Sequence, residues 1–396
     1  MASVEQAISS LNEIGTEPFN SESERLRLSN ALLATLRRVQ SPWDIACDHG
    51  YIELTTTAAI KALIDANVFT KWIEKGNKPL TAGDFAELTG VDATLLGKSN
   101  RLLRHIAAQH LITLVDENTY ASTPWAVSLG TDTAIASVYG TFYHELMAPL
   151  VISLPSFLKE TGFKNPDNFQ DGNVQRVHGK GSTMYGYVAA SSLRSKEFAD
   201  VMNFHARGNI SPWTEVYDTC QIVNGAKLDR PLVVDIGGSK GHDLEKFHQR
   251  HPDIPEGSLV LQDIPEMLEG VTAKPVISVC PYNFFTPQPI KGARVYYLHM
   301  VLHNWPDDKA TEILKNTADA MEPGYSKMLI YEDVISMREL SVQATMADIT
   351  MMALCSSAER SENDWRTLIG GVKGLRIAKT WYIPHAIGGI IEVERV

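Results

Sequence analysis

Apolar residues in the first part of the chain recur at the spacing of amphipathic helices. Residues 22–40 carry such a series, formed by Leu28, Leu32, Leu36 and Val39. A similar pattern occupies residues 55–76, and Gly76 supplies a typical helix end. The pattern therefore predicts two helices, over residues 22–40 and 55–76.

Residues 79–123 have the order helix, turn, helix and hairpin. Thr81 can cap a short helix that Gly90 ends, and Asp92 can cap a longer one. That second helix would carry Leu95, Leu102, Leu103 and Ile106. The letters "DEN" between "LITLV" and "TYAST" are typical of a small hairpin. The combination predicts a winged helix.

A winged helix raises the possibility of DNA binding, which depends on a basic surface. Lys98, Arg101 and Arg104 lie on the second helix of the motif, but acidic residues outnumber them: Asp84, Glu87, Asp92, Asp116 and Glu117. The net charge of the whole chain is −11. We therefore expect a folding and dimerisation module, and no nucleic-acid partner.

From about residue 230 the pattern changes to short apolar strands alternating with helices. "LVVDI", "SLVLQ", "PVISV", "RVYYLH" and "KMLIYE" are strand-like, and "LRIAKTWYI" and "GGIIEVERV" add two more, joined at "PHA". Such alternation predicts an α/β fold with a Rossmann-like sheet of seven strands, the last of them antiparallel. Residues 126–225 are predicted to be mostly helical. The expected regions are a winged-helix domain (1–125), a helical linker and substrate pocket (126–225) and a Rossmann-like catalytic domain (226–396).

Composition narrows the class of protein. The chain has 396 residues, 44% apolar and 21% charged, as expected of a folded protein with more than one domain. Its four cysteines form no C-x-x-C pair, so we expect neither disulfides nor a zinc site, and a reducing, cytoplasmic setting. No apolar run is long enough to cross a membrane, and the start lacks the pattern of a secretory signal.

A glycine-rich turn follows the first of these strands. The strand ends at Asp235, and Gly237 and Gly238 allow backbone to approach a ligand closely. The next helix presents free N–H groups above the strand ends, where ligands of open α/β sheets lie. The charge of Asp235 disfavours a pyrophosphate and favours a ligand with an ammonium group.

The next two strands suggest the rest of that ligand. Asp263 lies 22 residues after Gly241, where an acid commonly accepts hydrogen bonds from ribose hydroxyls. Asn283 is placed to read the edge of an aminopurine, and Phe284 can pack against it. An ammonium group, a ribose and an adenine without phosphate describe S-adenosylmethionine. The alternative is an ordinary strand–helix turn with solvated acids at its ends.

Several motifs together resemble a known family: "GGSKGHDLEKF", "LQDIPEML", "LHNWPDD" and "AERSENDW". The chain is similar, over nearly its whole length, to class I S-adenosylmethionine-dependent O-methyltransferases of the plant caffeate and fungal secondary-metabolite type. This resemblance implies that His303 is a general base, flanked and oriented by Glu332 and Glu359. It adds Ile264 and His299 to the cofactor residues. It also implies intertwined homodimers whose N-terminal domain contributes to the partner's substrate pocket.

The implied chemistry is consistent with ordinary pKa values. A phenol has a pKa of about 10 and imidazole of about 6.5, so a neutral histidine takes the proton only as the oxygen attacks. We expect His303 to be uncharged at rest, no metal to be needed, and the carboxylates to stabilise the imidazolium that forms. Other roles remain open: His303 in the connection before a helix, Glu332 as a solvated acid, and Glu359 in a surface ion pair with Arg360.

Some positions depart from the family pattern. Ser239 replaces a glycine, and we expect it to require a negative φ; Asn283 and Asn304 replace aspartates, and His299 replaces a basic residue. These departures leave open a second function, in which the fold guides a dehydration or pericyclic ring closure. Methyl transfer is favoured because the histidine and both acids are present. The acceptor is expected to meet Asn304, Met351 and Met352.

Overall fold

Two units make up the chain in this computed structural model, residues 1–132 and residues 133–396. The structure describes residues 3–15, 19–92, 94–98, 101–208, 212–227, 229–336, 340–382 and 388–396. The division into regions 1–125, 126–225 and 226–396 stays a prediction. No helix among the described residues is both long and apolar enough to pass through a bilayer.

The first unit is mainly helical and contains a small antiparallel sheet. Its helices are α1 (Val4–Glu13), α2 (Glu22–Val39), α3 (Pro42–Cys47), α4 (Glu53–Asp65), α5 (Val68–Glu74), α6 (Ala82–Thr89), α7 (Arg101–Ala108) and α8 (Pro124–Thr131). Its strands are β1 (Leu80–Thr81), β2 (Thr113–Asp116) and β3 (Thr119–Ala121), in the order β1-β3-β2. The predicted hairpin is therefore present, between β2 and β3.

Local signals in the sequence account for both ends of α6. Thr81 caps α6 by accepting a hydrogen bond from the backbone of Asp84, and Gly90 ends that helix in the left-handed region, as predicted. The single helix predicted over residues 55–76 is wrong. Asn67 adopts φ +55°, a conformation that asparagine tolerates, and divides the segment into α4 and α5.

The second unit contains the predicted sheet. Its strands are β4 (Val233–Ile236), β5 (Leu259–Asp263), β6 (Ile277–Pro281), β7 (Val295–His299), β8 (Lys327–Ile335), β9 (Arg360–Ser361), β10 (Leu375–Tyr382) and β11 (Gly388–Arg395). Seven of them follow the order β10-β11-β8-β7-β4-β5-β6, and the two-residue β9 pairs with β8 outside that path. Strands β4 to β8 are parallel, and β11 is antiparallel to both of its neighbours, as predicted. The "PHA" connection lies outside the described residues.

Helices cover the sheet and extend beyond it. They are α9 (Thr133–Val138), α10 (Ala148–Glu160), α11 (Asn173–His178), α12 (Met184–Ala189), α13 (Ser192–Gly208), α14 (Trp213–Val216), α15 (Cys220–Val223), α16 (His242–Arg250), α17 (Pro265–Leu268), α18 (Asp307–Ala318), α19 (Val342–Cys355) and α20 (Glu362–Gly370). Successive strand residues face opposite sides, so Val233 and Val234 belong to different core clusters. The cluster that contains Val233 packs against α14 and α16. The cluster that contains Val234 packs against α18 and α20.

A third apolar cluster belongs to the helical part of this unit. It joins α10, α11, α12, α13 and α19 through Leu150, Val174, Met184, Phe198 and Leu354. Met352 and Cys355 pack against the same cluster. As a result, α12 is held beside the end of α19, and the chain continues from there to Glu359.

Candidate active site at the carboxyl edge of the sheet

His303 lies in a single 3₁₀ turn, Leu302–Asn304, shortly after the carboxyl end of β7. The residue is 8% exposed. Its Nδ1 lies 2.8 Å from Oε1 of Glu359 and 4.0 Å from Oε2 of Glu332. The structure thus brings together, in a buried position, the three side chains that the sequence analysis predicts to be catalytic.

Glu332, on β8, supports the turn that carries the histidine. Its Oε1 accepts hydrogen bonds from the backbone N–H groups of Val301 and Leu302, at 2.9 and 2.8 Å. Its buried Oε2 has no hydrogen-bond partner in the described part of the chain and lies 4.0 Å from Nδ1 of His303. Glu332 is 1% exposed, so it is not a solvated acid.

Two residues that the sequence analysis did not select hold the same turn from the side of β9. Ser357 Oγ donates to the carbonyl oxygen of His303 at 2.6 Å. Arg360 donates to the carbonyl oxygens of Leu302 and Trp305 at 2.9 and 2.7 Å. Arg360 is buried and pairs with Asp307 rather than with Glu359, so the alternative of a surface ion pair is wrong. The only signal in the sequence was their position beside Glu359 in "SSAER".

The electrostatics of this cluster change the expected charge of His303. Burial alone would lower the pKa of the imidazole, but the carboxylates of Glu332 and Glu359, with the hydrogen bond that the ring donates to Glu359, raise it to about 9. Burial also raises the pKa of Glu332. The raised pKa opposes the expectation that His303 is uncharged at rest, because it favours a protonated ring near pH 7, and such a ring must lose its proton before it can act as a base.

The same three side chains could hold a metal ion. One ligand atom from each of His303, Glu332 and Glu359 lies within 4.8 Å of the others. Nδ1 of the histidine already makes a hydrogen bond to Glu359, so a metal at that nitrogen would replace this bond. That no metal is needed at these residues stays a prediction, which a measurement of activity in the presence of a chelator tests.

The predicted cofactor turn is closely packed on its strand. Gly237 has φ +76°, and a Cβ there would lie 2.9 Å from Cγ2 of Val301. A Cβ on Gly238 would overlap Oδ2 of Asp235 and Cδ1 of Leu261. Asp235 is 2% exposed, and burial, with the charges of Asp243 and Asp263, raises the pKa of its carboxyl well above the usual range. A cationic ligand would relieve the repulsion among these acids.

Asp263 closes the turn from the end of β5. Its Oδ2 accepts from the backbone N–H of Ser239 at 2.9 Å, and its Oδ1 from that of Ile264 at 2.8 Å. Burial raises the pKa of this carboxyl. Ser239 has φ +51°, so the expectation of a negative φ is wrong. The hydrogen bond to Asp263 helps to hold a conformation that serine rarely adopts.

Asn283 and Phe284 lie after β6, but their contacts differ from the expected ones. Asn283 Oδ1 accepts from the backbone N–H of Phe285 at 3.0 Å, which leaves its Nδ2 as the atom that can reach an adenine. Phe284 packs edge-on against Trp305, with ring centres 5.8 Å apart. Phe284 therefore contacts, through Trp305, the segment that carries His303.

His299 ends β7 and contacts the start of α16. Its Nδ1 lies 2.6 Å from Oδ2 of Asp243, and its ring stacks on Tyr331 with centres 4.5 Å apart. Burial opposes ionisation of Asp243, but the hydrogen bond and charge of His299 lower the pKa of that carboxyl to about 2. Sequence reasoning missed Asp243, although an acid in the first turn of a helix was a usable signal.

Comparisons with known proteins agree on one family. Residues 166–374, more than half of the chain, match the family profile described as an O-methyltransferase domain. The O-methyltransferase mfmE of Annulohypoxylon moriforme is 33% identical, over 98% of this chain and 94% of its own. The chain belongs to the O-methyltransferase family. Members use S-adenosylmethionine as methyl donor, so the cofactor expected from the sequence is confirmed.

Two solved structures share the fold of this O-methyltransferase over 98% of both chains. One is LepI in complex with S-adenosylmethionine, and the other is described as a pericyclic reaction enzyme. Each has a TM-score of 0.86 and 23% sequence identity. At that identity the likeness establishes only the fold, which has a central, mostly parallel sheet and a helical N-terminal region.

The residues predicted to meet the acceptor lie in different settings. Asn304 follows the histidine and donates from Nδ2 to the carbonyl oxygen of Met300 at 3.1 Å. Met351 and Met352 lie on α19 and are half-buried, and Met352 packs against the helical cluster. The backbone N–H of Glu359 donates to Asp348, also on α19, at 3.0 Å. Helix α19 is thus tied directly to the carboxylate that contacts His303.

The strained turn of this O-methyltransferase gives a prediction about stability. Ser239→Gly should raise the free energy of unfolding by up to about 1 kcal/mol, because glycine adopts a positive φ without the strain of a side chain. Urea unfolding measures the change. Ser239→Ala is the matched control and should bring no gain, because alanine is strained in the same way. A loss of stability in the glycine variant would contradict the conformation described at residue 239.

Proposed function

We propose that the protein transfers a methyl group from S-adenosylmethionine to a hydroxyl of a small aromatic or polyketide-derived secondary metabolite, with His303 as general base. The observation that carries this proposal is the contact of 2.8 Å between Nδ1 of the buried His303 and Glu359. Because Nδ1 is occupied, Nε2 is the nitrogen that can face an acceptor. The relative mfmE, a fungal O-methyltransferase, supports the same class of reaction.

The reaction moves one proton and one methyl group. As Nε2 takes the hydroxyl proton, the oxygen attacks the methyl carbon, the bond from that carbon to sulfur breaks, and S-adenosylhomocysteine leaves. The sulfonium adds positive charge beside the imidazole, so its binding should lower the raised pKa of His303 and favour the neutral base. Glu332 and Glu359 then stabilise the imidazolium that forms.

In this proposal the cofactor lies across the carboxyl edge of the sheet. Asp263 accepts from the ribose, and Asn283 and Phe284 meet the adenine. The remaining contacts are proposed for Asp235, Gly237, Gly238, Ile264 and His299. The acceptor would lie against Asn304, Met351 and Met352, on the side of His303. The clustered acids around the glycine turn support a cationic ligand at this edge.

The direct test is to incubate the protein with S-adenosylmethionine, labelled in its methyl group, and a panel of phenolic polyketides and pyridone alkaloids. Transfer of label with equal release of S-adenosylhomocysteine supports the proposal. A parallel reaction with a chelator should proceed at the same rate. A loss of activity that added metal restores would instead assign a metal to His303, Glu332 and Glu359.

The raised pKa of His303 also favours a second candidate, a dehydration or pericyclic ring closure without methyl transfer. An imidazolium held by two carboxylates can donate a hydrogen bond to a substrate carbonyl or leaving hydroxyl. In the same assay this function gives a product that is isomeric with its substrate, or lighter by one water, and releases no S-adenosylhomocysteine. Methyl transfer is the first proposal because the family is that of O-methyltransferases.

We further propose a homodimer formed through the N-terminal region, in which the predicted winged helix serves as the dimerisation module. Helices α1 and α3 bury none of their residues within this chain. Large apolar side chains are exposed along the same region, namely Leu32, Leu33, Leu36, Val39, Trp43, Tyr51 and Leu54. An exposed apolar surface of this kind marks an interaction site, and a second copy of the chain would bury it.

The dimer proposal predicts the effect of charge on that surface. Leu36→Glu combined with Val39→Glu should convert the dimer into a monomer, because two carboxylates cannot be buried in an apolar interface without a large cost. Sedimentation equilibrium gives the mass. A matched control places the same charges at the exposed residues Leu340 and Val342, before and at the start of α19, and should leave the dimer intact. A wild-type protein that sediments as a monomer would contradict the proposal.

A further inference from the structure

Gln262 and Gln288 form a pair of amides that is fully buried, with 0% exposure of either residue. Nε2 of Gln262 donates to Oε1 of Gln288 at 2.8 Å, and Nε2 of Gln288 donates to Oε1 of Gln262 at 2.9 Å. Burying an amide is costly unless its hydrogen bonds are made, and two apolar side chains would fill the same space without that requirement. What the amides add is a directed contact between the two parts of the chain that carry them.

The first of these parts is the end of β5, which also holds the glycine turn. The carbonyl oxygen of Gln262 accepts from the N–H groups of Gly237 and Gly238, at 2.8 and 3.1 Å. Oδ2 of the next residue, Asp263, accepts from the N–H of Ser239 at 2.9 Å. Three consecutive N–H groups of the turn therefore bind two consecutive residues of β5.

The second part follows β6. Residues 282–290 form the adenine loop, which carries the residues proposed to meet the adenine. The loop begins with a hydrogen bond of 2.8 Å from the N–H of Tyr282 to the carbonyl oxygen of Asp263. Near its end, the side chain of Gln288 binds that of Gln262. The same two residues of β5 thus anchor the adenine loop at both ends as well as the glycine turn.

We propose that Gln262 and Gln288 are positioning residues for the cofactor, which fix the adenine loop against the ribose acid Asp263 so that Asn283 selects adenine. This inference rests on the proposed function, since it uses the proposed positions of ribose and adenine. Nδ2 of Asn283 is a donor that fits the acceptor N1 of adenine, whereas hypoxanthine carries a hydrogen at N1. A loop held in one place leaves that mismatch unpaired, and a loop that can shift tolerates both bases.

The experiment compares two nonreactive ligands by calorimetry, S-adenosylhomocysteine and S-inosylhomocysteine, in which hypoxanthine replaces adenine. Wild-type protein should prefer the adenine ligand by at least about tenfold. Gln288→Leu cuts the anchor near the end of the loop. It should weaken the binding of S-adenosylhomocysteine about tenfold and bring the two affinities within about threefold of each other.

A double variant separates the position of the loop from the stability of the fold. Gln288→Leu leaves the amide of Gln262 buried without its partner, so the variant should unfold at a lower urea concentration than wild type. Gln262→Leu combined with Gln288→Leu removes both amides, which can be nearly neutral for stability, and keeps the backbone carbonyl that holds the glycine turn. The double variant should regain stability but keep the reduced preference for adenine, because contact between two leucines has no fixed direction.

Asn173 supplies the matched control, a buried amide in the helical part of the same unit. It is 1% exposed, its Nδ2 donates to the carbonyl oxygen of Leu150 at 2.7 Å, and its Oδ1 accepts from Oγ of Ser153 at 3.1 Å. Asn173→Leu should lower the stability to urea while the preference for adenine stays as in wild type. This result would show that loss of a buried amide does not by itself change the choice of base.

The outcomes separate the two proposals. If wild-type protein binds neither ligand, the proposed function itself fails. If it binds S-adenosylhomocysteine but Gln288→Leu keeps both the affinity and the preference, the positioning role is overturned and the proposed function stands. Recovery of stability and preference together in the double variant would also overturn that role, because the pair would then serve the fold alone. Should Gln288→Leu fail to fold, the double variant decides.

Discussion

Replacing His303 with alanine is expected to reduce methyl transfer at least about a hundredfold. The variant loses the only ring nitrogen proposed to take the acceptor proton, and general-base catalysis by a positioned group contributes roughly 10²–10⁴-fold. The cofactor residues stay in place, so the affinity for S-adenosylhomocysteine should change little. Steady-state rates at saturating cofactor, together with calorimetric binding, separate the two effects.

A matched histidine lies elsewhere on the same unit. His251 follows α16, far along the chain from the cluster, and its Nε2 lies 2.7 Å from Oγ1 of Thr219. His251→Ala should keep turnover within about threefold of wild type, which controls for the general effect of losing an imidazole. Turnover by His303→Ala near the wild-type rate would remove His303 from the mechanism.

The parts of the site that could be predicted are those fixed by a strand and the turn after it. Asp235, Asp263 and His303 each lie near the carboxyl end of a parallel strand or shortly after it, and the carboxyl ends of such strands meet at one edge. Periodicity is therefore enough to bring them together. The same reasoning gave the seven strands, because alternating apolar runs specify a sheet before any contact between them is known.

What could not be predicted depends on contacts between distant parts of the chain. His303 and Glu359 are 56 residues apart, and the spacing of letters does not say which atoms meet. From the sequence alone, Arg360 is expected at the surface; only the structure shows its hydrogen bonds to the carbonyl oxygens of Leu302 and Trp305. Ser239 gives a similar lesson, since its N–H, held in a backbone conformation with positive φ, donates to Asp263, which lies 24 residues away.

The charge of His303 was beyond the sequence for the same reason. A histidine near one carboxylate and a histidine between two differ by interactions that depend on ångström distances and on burial. Glu359 and Glu332 lie 2.8 and 4.0 Å from Nδ1 of the buried ring. At these distances their attraction for the imidazolium outweighs the effect of burial, and the pKa of His303 rises. The two acids also differ in their contacts, which allows their roles to be separated.

Glu359→Gln is expected to move the acidic limb of the pH–rate profile to lower pH and to lower the maximal rate about tenfold or more. Activity rises with pH as His303 loses its proton, so a lower pKa brings the neutral base at lower pH. The amide keeps a hydrogen-bond acceptor near Nδ1 but removes one of the charges that raise this pKa. The rate falls because the imidazolium formed in the transition state has lost its closest negative charge.

Glu332→Gln separates the effect of a nearby negative charge on His303 from the effect of the direct hydrogen bond, which Glu359 alone of the two acids makes. The glutamine oxygen can still accept from the backbone of Val301 and Leu302, so the turn should persist. Removal of this charge also lowers the pKa of His303, and the acidic limb should again move down. The maximal rate should fall less than in Glu359→Gln, because Glu332 lies 4.0 Å from the ring and makes no hydrogen bond to it. If neither substitution moves the limb, the ionisation that controls the rate does not belong to His303, and the base lies elsewhere.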